Sequence, residues 1–279
     1  MSYKTLLTVL TSLESAEGVI AAATAIAHRE RAHLDVLCLG IDRTQAGYYE
    51  AGVNMMLQQE MIDRAKADAQ ELTAKARELL AGETFGWSVE ASVAQIGGIS
   101  TTVALHARFA DLVILPQPYG PGQGPEDEAS IEAALFGGQA PVLVVPAAGL
   151  EKGFGRHIVV AWNQSNESLA AVRLALPMLI EADVVNIAII DPPQHGPERS
   201  DPGGLLSQML ARHGVKVEVS VLAKTMPLVS EVLKRHLRDQ NADLLVMGAY
   251  GHSRLREAIL GGATRAMLEG AEVPIFMAH

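Results

Sequence analysis

One pattern constrains this chain more than any other: an alternation of strand and helix segments runs once along the sequence and then starts again. The restart is visible residue by residue. Ala110-Asp111-Leu112-Val113 returns as Ala242-Asp243-Leu244-Leu245. Ala133-Ala134-Leu135-Phe136-Gly137-Gly138-Gln139-Ala140-Pro141-Val142 returns as Ala266-Met267-Leu268-Glu269-Gly270-Ala271-Glu272-Val273-Pro274-Ile275. A chain of 279 residues has room for two ordinary domains, and the repeat divides it into 1–150 and 151–279.

In the first half, strands are expected at 5–10, 34–40, 88–95, 111–115 and 141–145, with helices at 15–31, 55–81, 99–109 and 126–135 between them. The helix at 55–81 carries Leu57, Met61, Ala65, Leu72, Ala76 and Leu79 at helical spacing, which predicts one buried face. Glu71 and Lys75 are spaced as an exposed i,i+4 pair. The second half repeats the order with strands at 157–162, 184–190, 215–222, 243–247 and 273–277. Its helices are expected at 167–180, 205–213, 228–238 and 264–268. The long second helix of the first half has no counterpart; a turn-rich stretch, 191–204, stands there instead.

Hydrophobic residues make up 49% of the chain and aromatics only 4%, so Val, Ile, Leu and Ala must build the core. Strands of that composition suit parallel sheets covered on both faces by helices. The fold class is therefore α/β: two tandem doubly wound, Rossmann-like domains, each with a five-stranded, mainly parallel sheet. In such sheets ligands sit at the carboxyl ends of the strands, where strand order reverses.

The formal charge of −10 argues against a nucleic-acid partner, which requires a basic footprint, but leaves room for one bound nucleotide. The single cysteine, Cys38, lies in the apolar run Val36-Leu37-Cys38-Leu39 and reads as a buried thiol. No apolar stretch approaches the ~20 residues of a membrane span, and the chain runs directly from its first residues into a strand. A cytoplasmic protein with no membrane partner is the expectation.

The segment with most chemical content follows the strand at 243–247. Gly248-Ala249-Tyr250-Gly251 is succeeded by Gly261-Gly262-Ala263-Thr264, giving Gly-x2-Gly-x9-Gly-Gly-x-Thr. Glycines allow a backbone to approach a phosphate, and the free amides at a helix start can hold the anion. The Thr264 hydroxyl adds a donor. The same glycines are also explained by close strand–helix packing.

This spacing resembles the universal stress protein family, whose pattern is Gly-x2-Gly-x9-Gly-(Ser/Thr), and the order of elements matches over nearly the whole chain. The resemblance implies a tandem two-domain member of the adenine nucleotide alpha hydrolase-like fold, acting in stress response. It would place the phosphates of ATP or another adenine nucleotide, with or without Mg²⁺, on Gly248, Gly251, Gly261, Gly262 and Thr264, flanked by Met247 and Ala263. Asn163 would face the nucleoside, and Ile189 would meet adenine through its backbone. The two domains would pack through their final strands as a pseudo-dimer, and two chains could form a homodimer. Two residues depart from the family pattern: Gly262 stands where a Ser or Thr follows the third glycine, and Asn163 replaces an acidic residue.

His252 and Arg254 are candidates to face phosphate, with a solvated surface as the alternative. The adjacent Ser253 and His252 do not form a nucleophile pair, because neighbours in sequence rarely face each other. Asp191 ends a strand and is either a ligand to nucleotide-bound Mg²⁺ or a turn residue. His195, His213, His236 and His279 show no metal-ligand spacing.

The first half has lost the loop. Aligning the final strands sets Pro116 opposite Gly248 and Glu128 opposite Gly261. Residues 117–125 are rich in proline, which removes amide donors. Glu126, Asp127 and Glu128 stand where phosphate would bind, and they also suit a helix N-terminus. Gly137-Gly138 reads as a helix C-cap. Three functions follow in order: an adenine nucleotide held as a regulatory ligand by the C-terminal domain, an interaction module with both sites vestigial, and a slow ATPase. The last lacks a convincing base-plus-metal set, so an enzyme is not expected.

Overall fold

The structure is a computed structural model that describes residues 2–43, 55–120, 122–192, 201–249 and 262–279. Gly251, His252, Ser253, Arg254, Gly261 and His195 lie outside the described residues. The chain divides into two compact units, Tyr3–Ala140 and Pro141–His279, so the division falls before the expected boundary at 150.

The first unit contains β1 (Thr5–Leu10), α1 (Leu13–Glu30), β2 (His33–Asp42), α2 (Met55–Leu80), β3 (Trp87–Gln95), α3 (Ile99–Ala107), β4 (Leu112–Pro116) and α4 (Pro125–Glu132). The strand order is β3-β2-β1-β4, and the pairs are parallel. Helix α1 starts where the Ser12 side chain accepts the Glu14 amide at 3.1 Å and stops at Arg31, whose φ of 51° is left-handed. Its Ala-rich face, with Val19, Ile20 and Ile26, is buried.

Helix α2 has the expected length, but its buried face is Ala65, Ala69, Leu72, Ala76 and Leu80. Met61 and Leu79 are only half-buried. Ala69 and Leu80 continue the 3–4 spacing from Ala65 and Ala76, whereas Leu79 is rotated off that stripe. Lys75 pairs with Glu78 at 3.3 Å rather than completing the expected pair with Glu71. After α4 the chain widens into a π turn, Ala133–Gly137. The glycines here do not form a left-handed cap: Gly138 has a φ of −83°, and the left-handed residue is Gln139. A Cβ on Gly137 or Gly138 would stand 2.6 Å from the Cβ of Ala104 or Ala107, so the pair lets the turn press against α3.

The second unit opens with β5 (Val142–Val145) and continues through β6 (His157–Ala161), α5 (Asn166–Leu174), α6 (Leu176–Glu181) and β7 (Val184–Ile190). It ends with α7 (Gly204–Arg212), β8 (Val217–Leu222), α8 (Val229–Asp239), β9 (Leu244–Gly248), α9 (Gly262–Glu269) and β10 (Ile275–Ala278). The order is β5-β10-β9-β6-β7-β8. Its pairs are parallel except β5–β10, which is antiparallel with Ile275 opposite Val144. The single helix expected at 167–180 is two helices broken at Ala175. Pro177 lies in the first turn of α6, where its missing N–H costs no helical bond.

Each half of the chain thus supplies five strands, and the strands are mainly parallel. The core is aliphatic: β4, β5, β9 and β10 are almost wholly buried. Cys38 is fully buried, and burial pushes its thiol pKa up. No helix among the described residues is long and apolar enough to cross a membrane.

Candidate nucleotide-binding crevice

In the second unit the chain leaves β6 towards β7 and β8 on one side, then returns to place β9 and β10 on the other. The strand order therefore reverses between β6 and β9, which is where an open parallel sheet forms its ligand crevice. Register brings the carboxyl ends together: Ala161 pairs with Met247, so Trp162 and Gly248 follow at the same level.

Gly248 has a packing reason to be glycine. A Cβ there would stand 2.5 Å from the Ser168 amide nitrogen and 2.7 Å from the Glu167 carbonyl carbon, both in the first turn of α5. Gly262, at the start of α9, differs: it is exposed, and a Cβ would meet no described atom within 4 Å. The first-turn amides of a helix have no partners within it, and they carry the positive end of its dipole. Those of α9 belong to Gly262, Ala263 and Thr264. Ala263 is exposed while Thr264 is buried.

Asn163 is exposed, and its Oδ1 accepts the Ser165 amide at 3.1 Å. Ser165 in turn caps α5, its Oγ accepting the Ser168 amide at 3.1 Å. Ile189 is buried in β7 opposite Val221, and Met247 is buried in β9. The strand ends thus bring Asn163, Met247 and Gly248 to one crevice edge. Ile189 contributes backbone from the neighbouring strand. Asp191 is exposed and left-handed at φ 51°, with its amide donating to the Leu222 carbonyl; this is the conformation of a turn residue.

Sequence reasoning passed over Trp162. Its amide donates to the Ala188 carbonyl at 2.9 Å, which fixes it at the mouth between β6 and β7. Its indole Nε1 is shielded from solvent and has no hydrogen-bond partner among the described residues. An unmade hydrogen bond of this kind costs about 1–3 kcal/mol. The available signal was an indole immediately before Asn163 at the end of a strand.

The equivalent place in the first unit is built differently. The two halves share a clamp that sets their alignment. Asp111 accepts the Lys4 and Thr5 amides at 2.7 and 3.0 Å, and Asp243 accepts those of Arg156 and His157 at 2.9 and 3.1 Å. Counting from the clamp puts Thr11 where Asn163 stands. The Thr11 hydroxyl donates to Asp127 Oδ1 at 2.7 Å, and the Gly124 amide donates to Asp127 Oδ2 at 2.8 Å. Arg43, just beyond β2, donates to Glu126 Oε1 at 2.5 Å. Asp127 and Glu126 are both buried, whereas Glu128 is half-buried. Burial raises the Asp127 pKa, opposed by the Gly124 and Thr11 hydrogen bonds. The protein's own carboxylates thus take the donors that would otherwise meet an anion. Among the described residues no group of three or more His, Cys, Asp or Glu side chains is placed to hold a metal ion.

A mainly parallel α/β unit with a switch point between β6 and β9 and a helix opening on glycine defines a Rossmann-like fold class. Comparison with known proteins narrows the class. Residues 155–279 match the model of the universal stress protein family. A curated relative, universal stress protein Slr1230 of Synechocystis sp., is 35% identical over 72 residues, which is 26% of this chain and 24% of that protein. The match therefore spans about a quarter of the relative's length.

Among solved structures, a universal stress protein from Archaeoglobus fulgidus DSM 4304 superposes with a TM-score of 0.74. It is 14% identical, with 100% of this chain and 96% of that one covered. A putative universal stress protein from Pseudomonas aeruginosa UCBPP-PA14 gives 0.59 at 16% identity, covering 99% and 93%. At these identities the likeness is one of fold.

Proposed function

We propose that the C-terminal unit binds an adenine nucleotide, ATP or AMP, as a regulatory ligand in a cytoplasmic stress-response protein built from two tandem universal stress protein domains. The observation that carries this reading is the contrast between the crevices. In the first unit Thr11, Gly124 and Arg43 are taken by Asp127 and Glu126. In the second, a Cβ on Gly262 at the start of α9 would meet no described atom within 4 Å. Oriented first-turn amides attract phosphate without any basic cluster, which suits a chain of net charge −10. The regulatory role follows the sequence reading, in which no base-plus-metal set is recognised.

Purified protein is denatured and its supernatant assayed for nucleotide, and the native protein is titrated calorimetrically with ATP and AMP. Either co-purified nucleotide or saturable heat at micromolar to millimolar ligand is the expected result. Neither nucleotide in the supernatant nor heat at millimolar ATP overturns the proposal. A second reading, an interaction module with a vestigial site, is favoured by Gly248, whose packing against α5 explains that glycine without a ligand.

A further inference from the structure

At the opposite end of its strands from the crevice, the second unit has a cavity between α8 and α9, two helices that touch. Its volume is about 240 Å³, close to the ~300 Å³ at which small-molecule pockets begin. The floor is apolar. Leu237 of α8, Met267 of α9, Ala242 ahead of β9 and Ile275 at the start of β10 line it, and all four are buried.

The fold does not require this space. In the first unit the turn after the last helix closes onto α3, with Gly137 and Gly138 lying against Ala104 and Ala107. The repeat sets Gly270 opposite Gly137. A Cβ on Gly270, however, would meet the ammonium end of Lys234 first. Glycine at 270 thus seats a cation where the first unit seats a helix.

Charge marks the rim as a place for an anion. Lys234, Arg238 and Glu272 line it, two cations against one carboxylate, in a chain of net charge −10. Arg238 is already engaged: its Nε donates to Glu272 Oε2 at 2.8 Å, and Nη2 donates to Oε1. Those hydrogen bonds hold the Glu272 carboxyl below its ordinary pKa, and the charge of Lys234 adds to the effect. Lys234 is half-buried, and among the described residues no carboxylate stands within ion-pair distance of its Nζ. A cation partly withdrawn from water, beside an apolar floor, attracts an anion more strongly than one in bulk solvent.

We propose that this cavity binds a compact amphipathic carboxylate, its apolar body on Leu237, Met267 and Ile275 and its carboxylate on Lys234 Nζ. The site does not depend on the nucleotide reading, because it shares no residue with the crevice.

Calorimetric titration of the full chain with octanoate, octanol and octylammonium tests this in wild type, Lys234→Gln and Ala271→Leu. Wild type is expected to bind octanoate saturably at millimolar concentration or below, and roughly fivefold or more tighter than the alcohol or the amine. Lys234→Gln removes the charge and keeps most of the stem, so octanoate should weaken by about fivefold or more while octanol is unchanged. Ala271 lines the cavity from the turn after α9, and leucine there should weaken octanoate and octanol alike. Excess ATP should leave octanoate binding as it was. No saturable octanoate heat at millimolar ligand, or an alcohol or amine that binds as well, overturns the proposal. Octanoate binding that survives both substitutions, or that ATP displaces, lies elsewhere and overturns it too. Should Ala271→Leu fail to fold, Lys234→Gln on the rim decides.

Discussion

At Gly248 the end of β9 passes so close to the first turn of α5 that a single methyl group has no room. The neighbours are backbone atoms of Glu167 and Ser168, held by the Ser165 cap, and they cannot rotate away as a side chain would. Gly248→Ala is therefore expected to destabilise the chain by about 1–3 kcal/mol. Gly262→Ala meets no described atom within 4 Å and joins a helix, so its stability should stay within about 0.5 kcal/mol of wild type or rise by up to about 1 kcal/mol. Urea unfolding of both variants separates the two roles that one glycine pattern conflates. Equal losses at the two sites would show that packing explains both.

Between elements, the contact of α8 with β7 and β8 is made through a buried polar relay. His236 Nε2 donates to Asn186 Oδ1 at 2.9 Å, and Asn186 Nδ2 donates to Ser220 Oγ at 2.9 Å. His236 and Asn186 are buried. Burial lowers the His236 pKa, partly opposed by the carboxylate of Asp239. An unfolded histidine takes its proton near pH 6.5, and the folded one only at lower pH. Between those values only the unfolded chain binds the extra proton. The stability held by neutral His236 is thus complete above about pH 6.5 and is lost as the pH falls through the folded value. The urea midpoint should drop between pH 7.5 and 5.5 in wild type by more than in His236→Gln. The same drop in both proteins would remove His236 as the cause.

On the scale of the molecule, the repeat and the compact units divide the chain at different places. The strand β5 closes the first repeat in sequence, yet it belongs to Pro141–His279, where it lies antiparallel to β10. Strand β10 is fully buried, and an uncovered strand edge of Ile275, Phe276 and Met277 would invite association. A fragment cut at 141 should therefore stay monodisperse and melt several degrees above a fragment cut at 151, which lacks β5. Thermal melts and light scattering compare them, and indistinguishable fragments would show that β5 is dispensable to the unit.

Much of the fold was legible because periodicity reports burial. The strands at 5–10 and 184–190 and the start of α2 fall where the pattern set them. The misses share a physical origin. Leu79 and Leu80 are equally apolar, and only the rotation of α2 against its sheet buries the second. Pro177 breaks the 167–180 helix because its neighbours reorganise around a missing donor, and Gly137-Gly138 serves helix approach instead of a cap. At the crevice, the loop spacing singled out Gly248 and the family resemblance Asn163 and Met247, whereas no sequence signal singled out Trp162, Thr11 or Arg43. Their roles depend on partners far along the chain, such as Asp127, 116 residues from Thr11.

By itself, then, the sequence determined two α/β repeats, an aliphatic core and a glycine-bearing loop in the second repeat alone. Those features follow from local composition and spacing. The tertiary structure decided that β5 pairs with β10, that Gly248 is demanded by packing while Gly262 meets no described neighbour, and that the first crevice is filled by its own carboxylates. Each of these depends on which distant backbone or side chain arrives at the same point, and no local pattern carries that information.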